Sequence, residues 1–372
     1  MTPVPAVVIG GGLAGAALAA QLAQSGRPVV LIERKSGPHH KVCGEFISSE
    51  AAAYLGAFNL DLPSLGARRI KTVRLGAGER MVAADLPFPA FSLSRYVLDE
   101  ALLRRAKAFG AEIIRGRGVQ SLQADDGRWI LELEEGDCFA AKDVFLASGK
   151  HDLRGWKRPA KRESDFVAFK LHWRLSDHQR TALGDSVELS LFPGGYAGLE
   201  PVEDGVANLC LIVERKQFVA LGQRWDAVFD LLRTDCPHLA QRLDGATPCW
   251  ERPLAITSIP YGFVETRADG LWRLGDQAAV IPSFAGDGMA IALYSARLAA
   301  QTYLKGGSAE AFQLRLARNV GGQVKRAAFL SRLLVRPRGQ WLAAAAASIF
   351  PDLLATVAQT TRIADRHLRD AA

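Results

Sequence analysis

The chain has 372 residues, of which 49% are hydrophobic and 23% charged, and its formal net charge is +7. These values are ordinary for a folded globular protein and leave room for two domains. The sequence has no long Lys/Arg run and no zinc-finger spacing, so it argues against a nucleic-acid partner.

The N-terminal segment combines a strand, a turn of glycines and a helix. Three β-branched residues precede Gly10, and the glycines at 10, 12 and 15 are followed by an Ala/Leu-rich helix over about Leu13–Gln24. In this pattern Gly10 permits the tight turn, Gly12 lets a pyrophosphate approach the backbone, and Gly15 lets the helix pack against the sheet. The segment predicts a dinucleotide site; an α/β unit that binds no nucleotide is the alternative.

The next segments continue this unit. An apolar run over 28–32 ends in Glu33, and an acid about 20 residues after the glycines is placed to accept hydrogen bonds from ribose hydroxyls. A polar loop then leads to Lys41-Val42-Cys43-Gly44-Glu45, and Ser48 predicts a helix start. Short apolar pieces between Gly and Pro over 62–92 predict inserted strands that form a connecting layer.

The middle of the chain changes from mixed to mainly β character. The predicted elements are a helix at 96–109, a hairpin over 119–134, a buried strand at 143–149, antiparallel strands at 166–175, 187–192 and 208–213, and helices at 225–236 and 287–303. These elements predict a discontinuous nucleotide-binding domain over 1–155 and 265–305, a substrate domain over 156–264 and C-terminal helices over 306–372.

The C-terminal region is both basic and apolar. The basic segment 325–338 precedes a strongly apolar run over 341–354, and no run is long enough to span a membrane. A pair of core-packing helices is the favoured interpretation. A lid over an apolar substrate, or a helix that rests on a membrane as a peripheral contact, is the alternative.

The cysteine pattern bears on compartment and metal binding. The five cysteines are scattered and form no C-x-x-C pair, so they predict neither a disulfide framework nor a metal site. We also identify no signal peptide, and a cytoplasmic location is the resulting expectation.

Three blocks of the sequence, taken together with their order and spacing, resemble the FAD-dependent oxidoreductases that include para-hydroxybenzoate hydroxylase and geranylgeranyl reductase. They are the turn Gly10–Gly15 with Glu33, the segment Leu93-Ser94-Arg95 with its helix, and the region from Leu274 to Ala290. The resemblance implies an α/β fold with a Rossmann-type, glutathione-reductase-like FAD-binding domain. A β-rich substrate domain and a helical C-terminal cap would complete it.

The resemblance also implies roles for single residues. Glu33 would hold the adenosine ribose, Arg95 would lie near the diphosphate or ribityl chain, and Asp276 would accept from a ribityl hydroxyl. The helix start after Gly286 would face the flavin N1/C2=O edge, where backbone N–H groups stabilise negative charge. The predicted cofactor-binding residues are Gly10, Gly12, Leu13, Ala14, Gly15, Glu33, Arg34, Lys41, Val42, Cys43, Arg95, Gly275, Asp276, Pro282, Gly286, Asp287, Gly288 and Met289.

Residues 41–45 are similar to the Lys-Pro-Cys-Gly-Gly loop of the geranylgeranyl reductases, which lies over the flavin. Cys43 either faces the substrate or is a small residue in a tight loop, and the sequence favours neither. The candidates for catalysis are Cys43, Glu45 and Tyr196, the last within an aromatic, Gly-rich turn over 192–198 that resembles a segment of the reductases. Further titratable candidates are His151, His172 and Glu200, of which His172 is favoured as a satisfied pocket or surface histidine and Glu200 as a structural residue.

Two departures from the family affect the predicted reaction. The segment 147–154 lacks the Asp of the family's Ala-Asp-Gly-x-x-Ser-x-x-Arg pattern, so NAD(P)H and a separate reductase partner both stay open as the reductant. The Trp-x-Trp-x-Ile-Pro signature of tryptophan halogenases is absent. The favoured activity is a monooxygenase acting on a bulky apolar or aromatic metabolite. A reductase of carbon–carbon double bonds is the runner-up, and a flavin-binding protein without turnover is the third hypothesis.

Overall fold

Two β-sheets organise the molecule, which a computed structural model describes over residues 3–159, 165–350 and 352–363. The strands are β1 (Val4–Ile9), β2 (Val29–Glu33), β3 (Phe46–Ile47), β4 (Arg68–Ala77), β5 (Arg80–Ser92), β6 (Glu112–Arg115), β7 (Val119–Asp125), β8 (Arg128–Leu133), β9 (Cys138–Leu146), β10 (Phe166–Arg174), β11 (Ser186–Phe192), β12 (Gly195–Pro201), β13 (Val206–Glu214), β14 (Thr247–Pro248), β15 (Leu254–Thr257) and β16 (Trp272–Arg273). The helices are α1 (Leu13–Gln24), α2 (Ser49–Gly56), α3 (Arg95–Ala108), α4 (Asp177–Leu183), α5 (Arg215–Ala220), α6 (Trp225–Asp235), α7 (Pro237–Arg242), α8 (Gly288–Leu304), α9 (Ala309–Leu334), α10 (Pro337–Ile349) and α11 (Asp352–Thr360).

The first sheet carries the predicted dinucleotide turn. Its order is β6-β2-β1-β9-β8-β7, and β16 pairs with β9. Strand β1 is parallel to both β2 and β9, and β2 is buried along its whole length. Continuous burial explains why this strand is an uninterrupted apolar run. The small residues of α1 allow it to pack closely against α3 and α8.

The second sheet is larger, with the order β14-β10-β13-β12-β11-β4-β5-β3 and with β15 paired to β10. The strands predicted within 62–92 are present, but they do not form a separate connecting layer. Strand β4 pairs in parallel with β11, from Thr72 against Ser186 to Ala77 against Leu191. Long-range pairing of this kind leaves no local sequence signal, which is why the prediction misplaced these strands.

The predicted helices agree with the structure to within a few residues. Ser48 caps α2, with its hydroxyl accepting from the Ala51 N–H, and Ser94 caps α3 in the same way. Strand β9 begins earlier than predicted because its first residues pair with β8. The division into 1–155 with 265–305, 156–264 and 306–372 stays a prediction.

The C-terminal helices only partly join the core. Helix α9 buries Phe312, Leu316 and Val320 against the first sheet's helices. None of the described helices is by itself long and apolar enough to cross a bilayer. Helices α10 and α11 reach that length and composition only as a pair, and the pair is bent by 119°.

Candidate active site

The glycine turn joins β1 to α1 with a geometry that only glycine allows. Gly10 has φ +105°, and a Cβ there would lie 2.5 Å from the carbonyl oxygen of Ala147. A Cβ on Gly15 would overlap the carbonyl oxygen of Gly10. Both positions therefore fix the close approach of strand, turn and helix that the sequence pattern predicted.

Two cations lie beside Gly12 at the start of α1. A Cβ on Gly12 would lie 3.4 Å from Lys41 Nζ and 3.5 Å from a guanidinium nitrogen of Arg95. Asp99 holds both, at 2.7 Å from Lys41 Nζ and 2.6 Å from Arg95 Nε. Two cations for one carboxylate, next to a helix N-terminus, leave net positive charge where a pyrophosphate would bind.

Asp99 is a functional candidate that sequence reasoning missed. Its carboxyl is nearly buried, and burial alone would raise its pKa, but Arg95 and Lys41 more than offset that and hold the pKa below its usual range. A signal was available, because Arg95 and Asp99 are four residues apart on one helix face.

Glu33 ends β2 at the predicted place. Its side chain is buried, with Oε2 accepting from the Gly11 N–H at 2.7 Å and Oε1 from the Lys35 N–H at 2.9 Å. The carboxylate thus lies against the glycine turn and faces the same cavity, where it can exchange a backbone partner for ribose hydroxyls.

The opposite half of the predicted cofactor site surrounds the start of α8. Gly275 donates its N–H to Ser295 Oγ at 2.9 Å, and Asp276 Oδ2 lies 3.2 Å from Lys150 Nζ. Although burial opposes it, Asp276 and then Cys43 hold the pKa of Lys150 above its usual value. Lys150 belongs to the segment that departs from the family pattern, and the sequence did not single it out.

A single cavity of about 750 Å³ connects the two sheets. Among the predicted cofactor residues, those lining it are Gly10, Gly12, Leu13, Ala14, Glu33, Arg34, Lys41, Val42, Cys43, Arg95, Gly275, Asp276, Gly286, Gly288 and Met289. The end against the second sheet is apolar, formed by Ala168, Leu254, Ala255, Ile256, Ile259 and Val280. The predicted cofactor half and an apolar substrate half therefore share one space.

Three predicted cofactor residues do not line this cavity. Gly15 lies behind the turn, and Pro282 precedes the short turn into α8. The Asp287 carboxylate faces away from the cavity, toward Ser48, Gln323 and Arg362. These residues shape the site without facing it.

The loop over residues 41–45 lies between the two halves of the cavity. Asn208 Nδ2 on β13 donates to the carbonyl oxygens of Cys43, at 3.2 Å, and Gly44, at 2.9 Å. The Glu45 N–H points at Cys43 Sγ, 3.4 Å away. The second sheet thus holds the backbone of this loop in place while Cys43 lines the cavity.

Glu45 anchors the same loop through a buried charge cluster. It has φ +65°, and its fully buried carboxylate receives the Lys170 ammonium, His172 Nε2 at 2.8 Å and the Arg95 N–H at 2.8 Å. Burial would raise the pKa of Glu45, but Lys170 and His172 hold it below its usual range. The structure thus places His172 as the satisfied pocket histidine favoured from sequence. Lys170 was missed, although it lies two residues from His172 on the same strand.

The ligand atoms of His40, Glu45 and His172 lie within 4.8 Å of one another. Burial and the nearby Lys170 lower the pKa of His40 to about 4, so this imidazole is neutral at pH 7. A metal ion would have to share the Glu45 carboxylate with the Lys170 ammonium. Because like charges in a buried space repel strongly, the cluster is better described as an internal ion pair than as a metal centre.

Tyr196 and Glu200 take different places from those expected of catalytic groups. The Tyr196 hydroxyl lies 2.8 Å from Ser283 Oγ and accepts from the Phe284 N–H, so it holds the turn before α8. Tyr196 is not among the cavity-lining residues. Its catalytic role stays a prediction, and these contacts favour a positioning role instead. Glu200 is buried with both side-chain oxygens unpartnered in the described structure, and burial raises its pKa well above the usual range.

His151 lies at the rim of the site. It is exposed, lines the cavity, and has its pKa lowered by burial of the ring and by Arg34 and Lys150. Phosphate contact and plain solvent exposure both stay open for it.

Residues 8–42 match the family described as NAD(P)-binding Rossmann-like domain. The menaquinone reductase of Mycobacterium tuberculosis is 27% identical over 354 residues, covering 89% of this chain and 84% of the relative. Digeranylgeranylglycerophospholipid reductase 2 of Methanopyrus kandleri is 26% identical over 310 residues, covering 79% of this chain and 75% of the relative.

A solved structure shares the overall architecture. The flavin-dependent brominase Bmp2 superimposes with a TM-score of 0.77 at 18% identity, over 97% of this chain and 93% of that chain. At this identity the likeness concerns the fold alone. It confirms the predicted Rossmann-type α/β architecture over nearly the whole chain.

Proposed function

We propose that this chain, which is an FAD-dependent oxidoreductase of the class that includes para-hydroxybenzoate hydroxylase and geranylgeranyl reductase, reduces a carbon–carbon double bond in an isoprenoid chain. Its class, its enzymatic character and its FAD cofactor agree with the expectations from sequence. The reaction itself is our inference. The sequence favoured a monooxygenase over a reductase of carbon–carbon double bonds, and we now place the reductase first.

The placement of the Cys43 loop carries the proposal. This loop runs from Lys41, beside Gly12 of the glycine turn, to the contacts of Cys43 and Gly44 with Asn208 of the second sheet, and Cys43 lines the shared cavity. We infer that a group on the loop can reach a substrate that lies over the cofactor. Asp99 holds Lys41 at one end of the loop, and Asn208 and the buried Glu45 hold residues 43–45 at the other, so the position of the thiol is preorganised. The two relatives named above are both reductases by their names, and the name of one specifies a digeranylgeranyl lipid, which supports the same choice.

The residues present fit FAD. The glycines leave room for a pyrophosphate that a Cβ would fill, Lys41 and Arg95 supply positive charge there, and Glu33 faces the ribose position. The start of α8 presents backbone N–H groups at the other end of the cavity, where they favour negative charge. When bound and reduced, FAD supplies a hydride equivalent.

The chain's own groups supply positioning and a proton. The apolar wall formed by Ile256, Ile259 and Val280 excludes water and orients an aliphatic chain. Reduction of a double bond adds one hydride and one proton, and the Cys43 thiol is the proton donor we assign. After the transfer, the Cys43 sulfur takes a proton back from solvent.

The test separates reduction from oxygenation. The purified, FAD-loaded protein is reduced with dithionite under anaerobic conditions and mixed with a geranylgeranyl lipid. We expect the flavin to reoxidise and the lipid to gain two hydrogens by mass spectrometry. Oxygen uptake with a hydroxylated product from a phenol panel, and no anaerobic reduction, would instead establish a monooxygenase.

Variants then address the assigned proton donor. We expect Cys43→Ala to slow lipid reduction by about 100-fold, the usual contribution of a positioned general acid, while FAD binding is retained. Cys210→Ala is the matched control, since this thiol also lines the cavity but lies on β13. Unchanged turnover in Cys43→Ala would remove the thiol from the chemistry.

A further inference from the structure

The C-terminal helices carry an unusual concentration of exposed apolar side chains. Of the ten large hydrophobic residues that are exposed in the described part of the chain, seven lie between residues 329 and 353. They form what we call the C-terminal face: Phe329, Leu333, Trp341, Leu342, Ile349, Phe350 and Leu353. Three of them are 62% to 69% exposed, namely Trp341, Ile349 and Phe350. An apolar patch of this kind is a sign of an interaction surface.

The same helices carry the chain's excess positive charge. Residues 311–363 contain eight Lys or Arg and one Asp, a balance equal to the formal net charge of +7 for the whole chain. On α9, Lys325 precedes Phe329 by four residues and Arg332 follows it by three, so both share its helix face, and the exposed Arg336 lies between α9 and α10. Arg338 is likewise three and four residues from Trp341 and Leu342 on α10. Apolar and basic side chains therefore point outward together.

The inner side of these helices leads to the active-site cavity. Val335 and Ala347 are buried in a cluster with Ile259 and Val280, two residues that line the apolar end of the cavity. The helices that carry the C-terminal face therefore pack, on their inner side, against residues that line the apolar end of the cavity. An aliphatic chain held in the cavity would lie close behind this face.

We propose that the C-terminal face docks on an anionic lipid bilayer. Aromatic and aliphatic side chains would enter the interfacial region while the arginines contact phosphate groups, the arrangement typical of proteins that lie on a membrane surface. A neutral protein partner would not complement the positive charge of the C-terminal face, whereas an anionic bilayer complements it over the whole face. Docking needs no turnover, so this inference stands apart from the proposed reaction.

The test is sedimentation of the full-length, FAD-loaded protein with vesicles. We expect it to pellet with phosphatidylglycerol/phosphatidylcholine vesicles, to pellet at least tenfold less with phosphatidylcholine alone, and to be released by high salt. Trp341→Ser/Phe350→Ser should weaken binding tenfold or more at any salt concentration. Arg336→Gln/Arg338→Gln should weaken binding to the anionic vesicles only.

Matched controls keep the test decisive. Val219→Ser removes an apolar side chain that is 53% exposed on α5, outside the face, and should bind as the wild type does. Retained flavin absorbance shows that each variant is folded. Protein that stays in the supernatant with anionic vesicles at low salt overturns the proposal. A dimer that depends on Trp341 and Phe350, without vesicle binding, overturns it as well and assigns the face to a second copy of this chain.

Discussion

Single residues decide whether the cofactor half of the site can form. Gly15 is the sharpest case, because any side chain there meets the Gly10 carbonyl inside the turn that we predict to bind the pyrophosphate. The neighbouring structure is backbone and cannot move aside without changing the β1–α1 connection. The glycine is required by packing and not by a positive φ.

We therefore expect Gly15→Ala to destabilise the protein by about 3 kcal/mol or more and to abolish FAD retention. Gly321→Ala is the matched control, since this helical glycine has nothing within 4 Å of an added Cβ. It should raise the free energy of unfolding by about 0.5–1 kcal/mol. Urea unfolding and flavin absorbance measure both. A Gly15→Ala protein that retains FAD would refute the packing argument.

The buried pair Lys170–Glu45 acts on the loop that bears Cys43. Lys170→Met leaves the Glu45 carboxylate buried with less compensation, and removal of one partner of such a pair costs about 3–5 kcal/mol. We expect the double variant Lys170→Met/Glu45→Gln to recover a large part of that loss, because the uncompensated charge is gone. Urea unfolding of the two single variants and the double variant gives the coupling energy. Strictly additive losses would show that the two residues do not act as a pair.

Helix α8 begins at the cavity, and in our proposal its N-terminus is held at the cofactor. Three segments distant in sequence hold Asp287 at this end: Ser48 before α2, Gln323 on α9 and Arg362 after α11. Burial raises the pKa of Asp287 to about 7, although Arg362 acts in the opposite direction. The folded protein therefore binds this proton more tightly than the unfolded chain does.

This pKa predicts a pH dependence. A carboxyl with a raised pKa contributes stability that is present below about pH 4 and is lost as the pH rises through about 7. We expect the melting temperature of Asp287→Asn, relative to wild type, to increase from pH 4 to pH 7. Asp269→Asn is the contrast, because Arg273 outweighs burial and lowers the Asp269 pKa, so its relative melting temperature should stay level between about pH 5 and 7. A level profile for Asp287→Asn would contradict the raised pKa.

At the scale of the whole molecule, the cavity lies between the two sheets and takes residues from both. FAD that fills it would bind the first sheet through the glycine turn and reach the second sheet through the Cys43 loop. Such a ligand stabilises the folded state by mass action, about 2.7 kcal/mol at a free concentration 100 times Kd.

Removal of FAD should therefore lower the melting temperature and uncouple the two parts of the molecule. We expect differential scanning calorimetry to show one transition with FAD and two, or one much broader transition, without it. ADP, which matches only the glycine-turn end, should restore less stability than FAD at equal saturation. Equal stabilisation by ADP and FAD would place all of the binding energy at the first sheet.

The sequence by itself determined the local features of this protein. The glycine spacing, the apolar run of β2, the serine caps of α2 and α3 and the periodicity of α8 depend on neighbours a few residues apart, so each leaves a readable pattern. The resemblance joined them into one FAD-binding class. The glycine spacing and the resemblance together identified most of the residues that line the predicted cofactor half of the cavity.

Only the tertiary structure decided which distant side chains meet. Lys170 and Glu45 are 125 residues apart in the sequence. Strand β4, within residues 62–92, joins the second sheet by pairing in parallel with β11. The contacts of Tyr196 with Ser283 and Phe284, in the turn before α8, likewise join residues far apart in sequence. The register of paired strands and the course of long connections set these contacts, and neither is encoded in the spacing of nearby residues.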